Sequence, residues 1–206
     1  MDFNKYPSKI LEEAIEMFAS LQGIGRKTAL RMVLNILKNG KEYGNKFGNA
    51  ILKLTNEIKY CKRCCNISDQ DLCDICSNPL RNQHIICVVE EINDVMAIEE
   101  TNQFDGLYHV LGGVISPVNG VGPSDLTIRQ LEKRIESESI NEIILALSPT
   151  IEGDTTAFYI FKKLKNYDIK ITTLAKGISI GNEIEYTDII TLGNSIKNRI
   201  NFKPNE

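Results

Sequence analysis

The sequence predicts an α+β chain built of modules: an N-terminal helical hairpin, a small four-cysteine element, an α/β domain with a mostly parallel sheet, and a short C-terminal segment. Three observations predict it. Apolar residues recur at helical spacing before residue 40, and four cysteines fall as two C-x-x-C hooks between residues 61 and 76. After residue 82, short continuous apolar runs alternate with amphipathic stretches. The boundaries are expected at 1–59, 60–81, 82–175 and 176–206.

In the first module Ile10, Leu11, Ala14, Ile15, Phe18 and Leu21 carry one helix from Ser8 to Leu21. Ala29, Leu30, Val33, Ile36 and Leu37 carry a second, which Asn39-Gly40 should stop. Between them, Gly23-Ile24-Gly25 permits a tight turn whose backbone N–H groups open the second helix. Orphan amides and the helix dipole both favour an anion at such a point. Ile24 is expected to be pinned between the helices. Lys27 and Arg31, four residues apart, share a face and can flank the same phosphate strand. The hairpin resembles the helix-hairpin-helix, a sequence-independent clamp on the DNA backbone. That resemblance implies Gly23, Gly25, Lys27 and Arg31 as the DNA-binding residues, making contacts that carry affinity without base specificity. An ordinary helical corner that uses glycine only for geometry is the competing reading.

Cys61-Lys-Arg-Cys64 and Cys73-Asp-Ile-Cys76 are separated by eight residues, the arrangement four thiolates need to surround one Zn²⁺. Four ligands fill a tetrahedron and leave no position for water, so the site reads as structural. So small a segment has no core of its own and relies on the ion. Disulfides compete, but Met1-Asp-Phe-Asn-Lys-Tyr6 lacks the apolar stretch of a secretory signal. Cys65 lies inside the pattern, and a Cys61/Cys65 hook can substitute for Cys61/Cys64. Cys87, in an apolar run, is expected to be a buried thiol.

The hydrophobic fraction of 42% and charged fraction of 25% suit a soluble globular chain, expected in the cytoplasm since no apolar run reaches membrane length. The net charge of −3 hides an asymmetry. Residues 1–59 hold ten Lys/Arg against six Asp/Glu, whereas residues 82–206 hold eleven against eighteen. A basic module on an acidic body fits polyanion binding at one end.

In the body, residues 84–89, 108–111, 142–147 and 169–174 read as strands. Residues 93–100, 126–135 and 155–164 read as helices between them, giving a parallel sheet covered on both faces. Function in such sheets collects beyond the carboxyl ends of the strands. Glu90 follows the first strand there, and Glu152 and Asp154 lie in a loop after the third. Together they form a candidate acidic site for Mg²⁺ or for a partner. The structural alternative has Asp154 capping the helix at Thr155 and Glu90 satisfying loop amides. His84 and His109 should be hydrogen-bonded structural histidines. No catalytic residue is assigned.

An acid after the first strand and an acidic pair, x between, after a later one resemble the Toprim fold of topoisomerases, primases and some nucleases. The whole order is similar to the RecR family of bacterial recombination mediators. That resemblance rests on Gly23-Ile-Gly25 with Lys27 and Arg31, the cysteines at 61, 64, 73 and 76, and Ile86-Cys-Val-Val-Glu90. It also rests on Tyr108-His-Val-Leu-Gly-Gly113 with Ile115-Ser-Pro117, Glu152-Gly-Asp-Thr-Thr-Ala157, Ala175-Lys-Gly-Ile-Ser-Ile-Gly181 and Tyr186-Thr-Asp188. Gln22 stands where the family usually has proline, Lys176 and Ser179 where arginine and proline are common, and Cys65 where cysteine is unusual. The resemblance implies a non-enzymatic DNA-repair protein of the RecF pathway. It implies ring-like tetramers, joined through N- and C-terminal contacts, that encircle duplex DNA. It also implies binding to RecO and RecF, and help in loading RecA on gapped or single-stranded DNA. Two alternatives stay open: a Toprim-type Mg²⁺-dependent nuclease using Glu90, Glu152 and Asp154 to activate water, and a zinc-ribbon adaptor.

Overall fold

A computed structural model describes residues 6–181 and 183–201. The last residues of the C-terminal segment expected at 176–206, residues 202–206, lie outside that range. The chain forms two compact units, one ending at Ile58 and one beginning at Lys59.

The first unit is helical. α1 (Lys9–Ala19) starts at Ser8, whose side chain accepts the Leu11 amide, and α2 (Arg26–Lys38) starts at Gly25. Their contact is built on Ile15, Ala29 and Val33, with Ile24 and Phe18 packed against them. Asn39-Gly40 ends α2 as expected, but the chain then bends through Gly40, at φ +84, straight into a third helix. This α3 (Gly40–Glu57) buries no residue. Its period lies in Tyr43, Phe47, Ile51 and Leu54, diluted by Gly44 and Gly48. Phe47 stacks on Phe18 at 6.0 Å, and Gly44 brings the helix close to Ile36.

The second unit begins with a small hairpin, β1 (Lys59–Tyr60) paired antiparallel with β2 (Ile67–Ser68), followed by the short α4 (Asp74–Ser77). A four-stranded sheet follows: β3 (Ile85–Val89), β4 (Leu107–Val110), β5 (Glu142–Ala146) and β6 (Lys170–Thr173). The order is β4-β3-β5-β6, and every pair is parallel. Helix α5 (Ile92–Glu100) covers one face, where Val95 packs on Cys87, Val89 and Tyr108. Helices α6 (Ile128–Ser137) and α7 (Ile151–Leu164) cover the other, where Leu131, Ile135, Ile160 and Leu164 meet Ile86, Val88 and Ile143. Two covered faces explain why β3 is a continuous apolar run and not an alternating one.

Two expectations are corrected. The segment from Ile151 to Asp154 is the first turn of α7 and not a loop, because Thr150 supplies the N-cap by accepting the Gly153 amide. Asp154 therefore does not cap this helix. After β6 the chain forms α8 (Ile189–Lys197), capped by Asp188 through the Thr191 amide, where no helix is predicted. None of the described helices is long and apolar enough to cross a membrane.

Candidate functional site

The four cysteines of the two hooks converge. Cys61, Cys64, Cys73 and Cys76 are all buried, and their sulfur atoms lie within 4.8 Å of one another. Zn–S bonds of about 2.3 Å in a tetrahedron place sulfurs about 3.8 Å apart, so the cluster has the size that a Zn²⁺ site requires. No disulfide links any of the six cysteines. The first hook is shaped by the hairpin: the Cys61 amide donates to Asn66 O and the Cys65 amide to Cys61 O. The second is shaped by α4, with Cys73 at its N-cap and Cys76 inside it. Beyond Ile75 these sulfurs pack on no apolar core. Crowded together, the thiols cannot all ionise: the bond from Cys64 holds Cys73 low, and the bond to Cys73 drives Cys64 up. A divalent cation removes that conflict. The residues therefore fit one structural zinc ion.

Cys65 is not part of this cluster. It sits at φ +62 with its thiol toward Thr127, and it lines a cleft of 710 Å³ with Tyr60, Ile67, Gly112 and Gln130. The left-handed backbone turns its sulfur away from the ion's position. Burial pushes it up, so it stays a thiol. Cys87 is buried in β3 and pushed up to about 12 by desolvation.

The zinc element is fastened to the sheet at its β4 edge. The Val110 amide donates to Cys64 O at 2.8 Å, satisfying a donor that an edge strand would otherwise expose. Arg63, between the first two ligands, sends Nε and Nη2 to the two oxygens of Glu138, both at 2.9 Å. Its Nη1 reaches Gln83 Oε1 at 2.7 Å and Cys76 O at 3.3 Å. Glu138 also accepts from Arg134, which is buried and donates to Tyr108 O. Sequence reading missed this network. Arg63 is visible inside the hook, but nothing local points to a partner 75 residues away.

The predicted acids are placed differently from one another. The Glu90 backbone carbonyl accepts the Gly112 and Gly113 amides, and its carboxylate accepts the Ser148 amide. It thus joins the carboxyl ends of β3, β4 and β5. Asp154 pairs with Lys176 at 3.0 Å on the rim of a cleft of 820 Å³ beyond β5 and β6. Glu152 is half-buried in the first turn of α7. Among the described residues, only the four cysteines form a group of three or more ligating side chains close enough for a metal. The three carboxylates are not gathered into such a group, because Glu90 and Asp154 are each held by a neighbour.

Both histidines are hydrogen-bonded. His84 Nδ1 lies 2.6 Å from Ser139 O, and His109 Nε2 lies 3.0 Å from Thr127 Oγ1. His109 is fully buried in β4, and desolvation, aided by the Arg134 charge, lowers it to about 4.

In the helical unit, Gly23 takes φ +80 and Gly25 is the N-cap of α2, so the turn delivers the first amides of α2 to the surface. Lys27 and Arg31 are exposed and form no ion pair among the described residues, whereas Arg26 pairs with Glu16 at 3.9 Å.

Fold and cluster together define a zinc-finger protein with a Toprim-like α/β body and a helical N-terminal unit. Family comparisons agree segment by segment. Residues 11–55 match the RecR helix-hairpin-helix, residues 58–78 the RecR four-cysteine zinc finger, residues 84–175 the Toprim domain and residues 177–200 the RecR C-terminal segment. The chain is 57% identical over 198 residues to the recombination protein RecR of Bacteroides fragilis, covering 96% of this chain and 97% of the relative. It is 56% identical to that of Porphyromonas gingivalis, with 96% of each covered. It is 52% identical to that of Cytophaga hutchinsonii, with 98% of each covered. The chain belongs to the RecR family of recombination proteins.

Proposed function

We propose that this chain is a non-enzymatic mediator of recombinational DNA repair, holding duplex and gapped DNA through its helical unit. The observation that carries the reading is the Gly23-Ile24-Gly25 turn, which opens α2 beside the exposed Lys27 and Arg31. Amides and two cations at one helix end suit a phosphate of any sequence. As in the family it belongs to, the chain would close into a ring-like tetramer, act with RecO and RecF, and help RecA load at gaps, working on the nucleoid in the cytoplasm. In a ring, several copies of Lys27 and Arg31 would meet one duplex. Weak contacts then add through effective concentration, and binding becomes strongly salt-dependent.

The functional division would follow the boundaries 1–59, 60–81, 82–175 and 176–206. Zinc would act only as a brace for the element that carries Arg63. Glu90, Glu152 and Asp154 would serve strand-end structure and partner binding in place of cleavage. Glu152→Ala should weaken the RecO interaction without creating or removing any hydrolysis.

One titration tests the reading: zinc-loaded protein against labelled gapped duplex with Mg²⁺, run on native and denaturing gels. A shifted band with intact strands, lost in Lys27→Ala/Arg31→Ala with zinc and fold retained, is the expected result. Normal binding by that double variant would remove the hairpin assignment. Strand cleavage that disappears with a chelator and with Glu152→Ala would turn the assignment to a nuclease.

A further inference from the structure

Helix α2 has a one-sided charge pattern that Lys27 and Arg31 do not exhaust. Arg-Lys-Thr-Ala-Leu-Arg-Met-Val-Leu-Asn-Ile-Leu-Lys holds four cations and no carboxylate, whereas α1 holds Glu12, Glu13 and Glu16. Arg26 points toward α1, where it meets Glu16. The other three cations do not. At 3.6 residues per turn, Lys27, Arg31 and Lys38 fall within about 40° of one another around the helix. That wedge lies opposite Ala29 and Val33, the buried face of α2. All three are exposed, and none pairs with an acid among the described residues.

We propose that Lys38 is a third phosphate contact, so that α2 lies along the DNA backbone and does not meet it only at its N-terminal turn. At 1.5 Å per residue, Lys27 and Lys38 stand about 16 Å apart along the helix. One strand of B-DNA places a phosphate every 3.4 Å of axis, which is about 7 Å along the winding strand itself, so that length laid along the backbone spans about two to three phosphates. A helix meeting the strand end-on would bring only the first amides of α2 with Lys27 and Arg31 to it. The wedge of cations running to the last turn is what a lengthwise approach uses. A competing role exists for Lys38: a cation in the last turn also favours the helix dipole. That role affects stability and not the salt dependence of DNA binding. The proposal rests on the hairpin reading above.

The test compares the full-length, zinc-loaded protein with Lys38→Gln, Lys38→Arg, Lys27→Gln and Lys53→Gln, titrating duplex DNA at several salt concentrations. Lys53 is exposed on α3 and paired with Glu57, so it serves as the charge control. Lys38→Gln should make the slope of log K against log salt shallower by about 0.9 for each copy in contact. Lys27→Gln should do the same, Lys38→Arg should restore the slope, and Lys53→Gln should leave it unchanged. If Lys27→Gln changes the slope and Lys38→Gln does not, this inference falls and the hairpin reading stands. If neither changes it, the hairpin reading falls too. An equal effect from Lys53→Gln would mean diffuse charge and overturn the lengthwise approach. Thermal melting of the same variants separates the dipole role, which lowers stability without moving the slope.

Discussion

Arg63, inside the first cysteine hook, grips Glu138 at the end of α6 with two parallel hydrogen bonds of 2.9 Å each. The pair ties an element with no core of its own to the largest hydrophobic cluster of the molecule. Both side chains are 22% exposed, and each is bonded further, Arg63 to Gln83 and Cys76, Glu138 to Arg134. Removing the carboxylate leaves two guanidiniums facing each other, one of them buried.

Glu138→Ala should therefore destabilise the second unit more than a surface substitution would, by about 2 kcal/mol given its partial exposure. Chemical denaturation gives the number. A change under about 0.5 kcal/mol, the range of an ordinary surface residue, would show that the network is not a fastening.

The thiol cluster predicts one zinc per chain. Cys73→Ser should lose the metal and loosen β1, β2 and α4 while the four-stranded sheet persists, because the sheet has its own core. Cys65→Ser should keep the full zinc content, since its thiol lies outside the cluster. Elemental analysis with hydrogen exchange reads both, and zinc loss in Cys65→Ser would reassign the ligands.

His109 is held neutral by burial, with its folded value about 4 against the ordinary 6.5. A depressed histidine adds stability that is complete above pH 6.5 and is lost as pH falls toward 4. The loss amounts to about 3 kcal/mol over that window. The imidazole resonance should titrate near pH 4 by NMR, with zinc release followed in the same samples. Titration at pH 6 or above would mean that the ring reaches water.

Gly153 sits where α7 passes under the end of β5. A Cβ there would lie 2.1 Å from Ser148 O, a backbone atom. Gly153→Ala should shift the loop that carries the Ser148 amide to Glu90, costing about 1–3 kcal/mol. A crystal structure of the variant with Glu90 and Ser148 unmoved, together with unchanged melting, would contradict this account.

The elements legible in sequence were those with strong local signals. Glu142 to Leu147 reads as a strand because it is a continuous apolar run, and α6 reads as a helix because Leu131 and Ile135 repeat at helical spacing. The helix α3 was not legible because Gly44 and Gly48 interrupt a half-exposed apolar face, so its period never stands out. The start of α7 was misplaced because both Thr150 and Asp154 are good caps, and only the course of the backbone selects between them. At the candidate sites, the cysteine spacing named Cys61, Cys64, Cys73 and Cys76 but left Cys65 open as a substitute for Cys64, and only the structure separates the two.

The sequence by itself determined the order of modules, the presence of a four-cysteine zinc site and the glycine turn with Lys27 and Arg31, because each of these depends on residues close together in the chain. Only the tertiary structure decided that Cys65 turns away from the cluster and that Glu90 ties three strand ends. It also decided that Asp154 is paired with Lys176 and that Arg63 reaches Glu138. Each of those outcomes depends on which distant side chain or amide arrives within hydrogen-bonding distance. Local propensity carries no record of that, since the partner is supplied by packing.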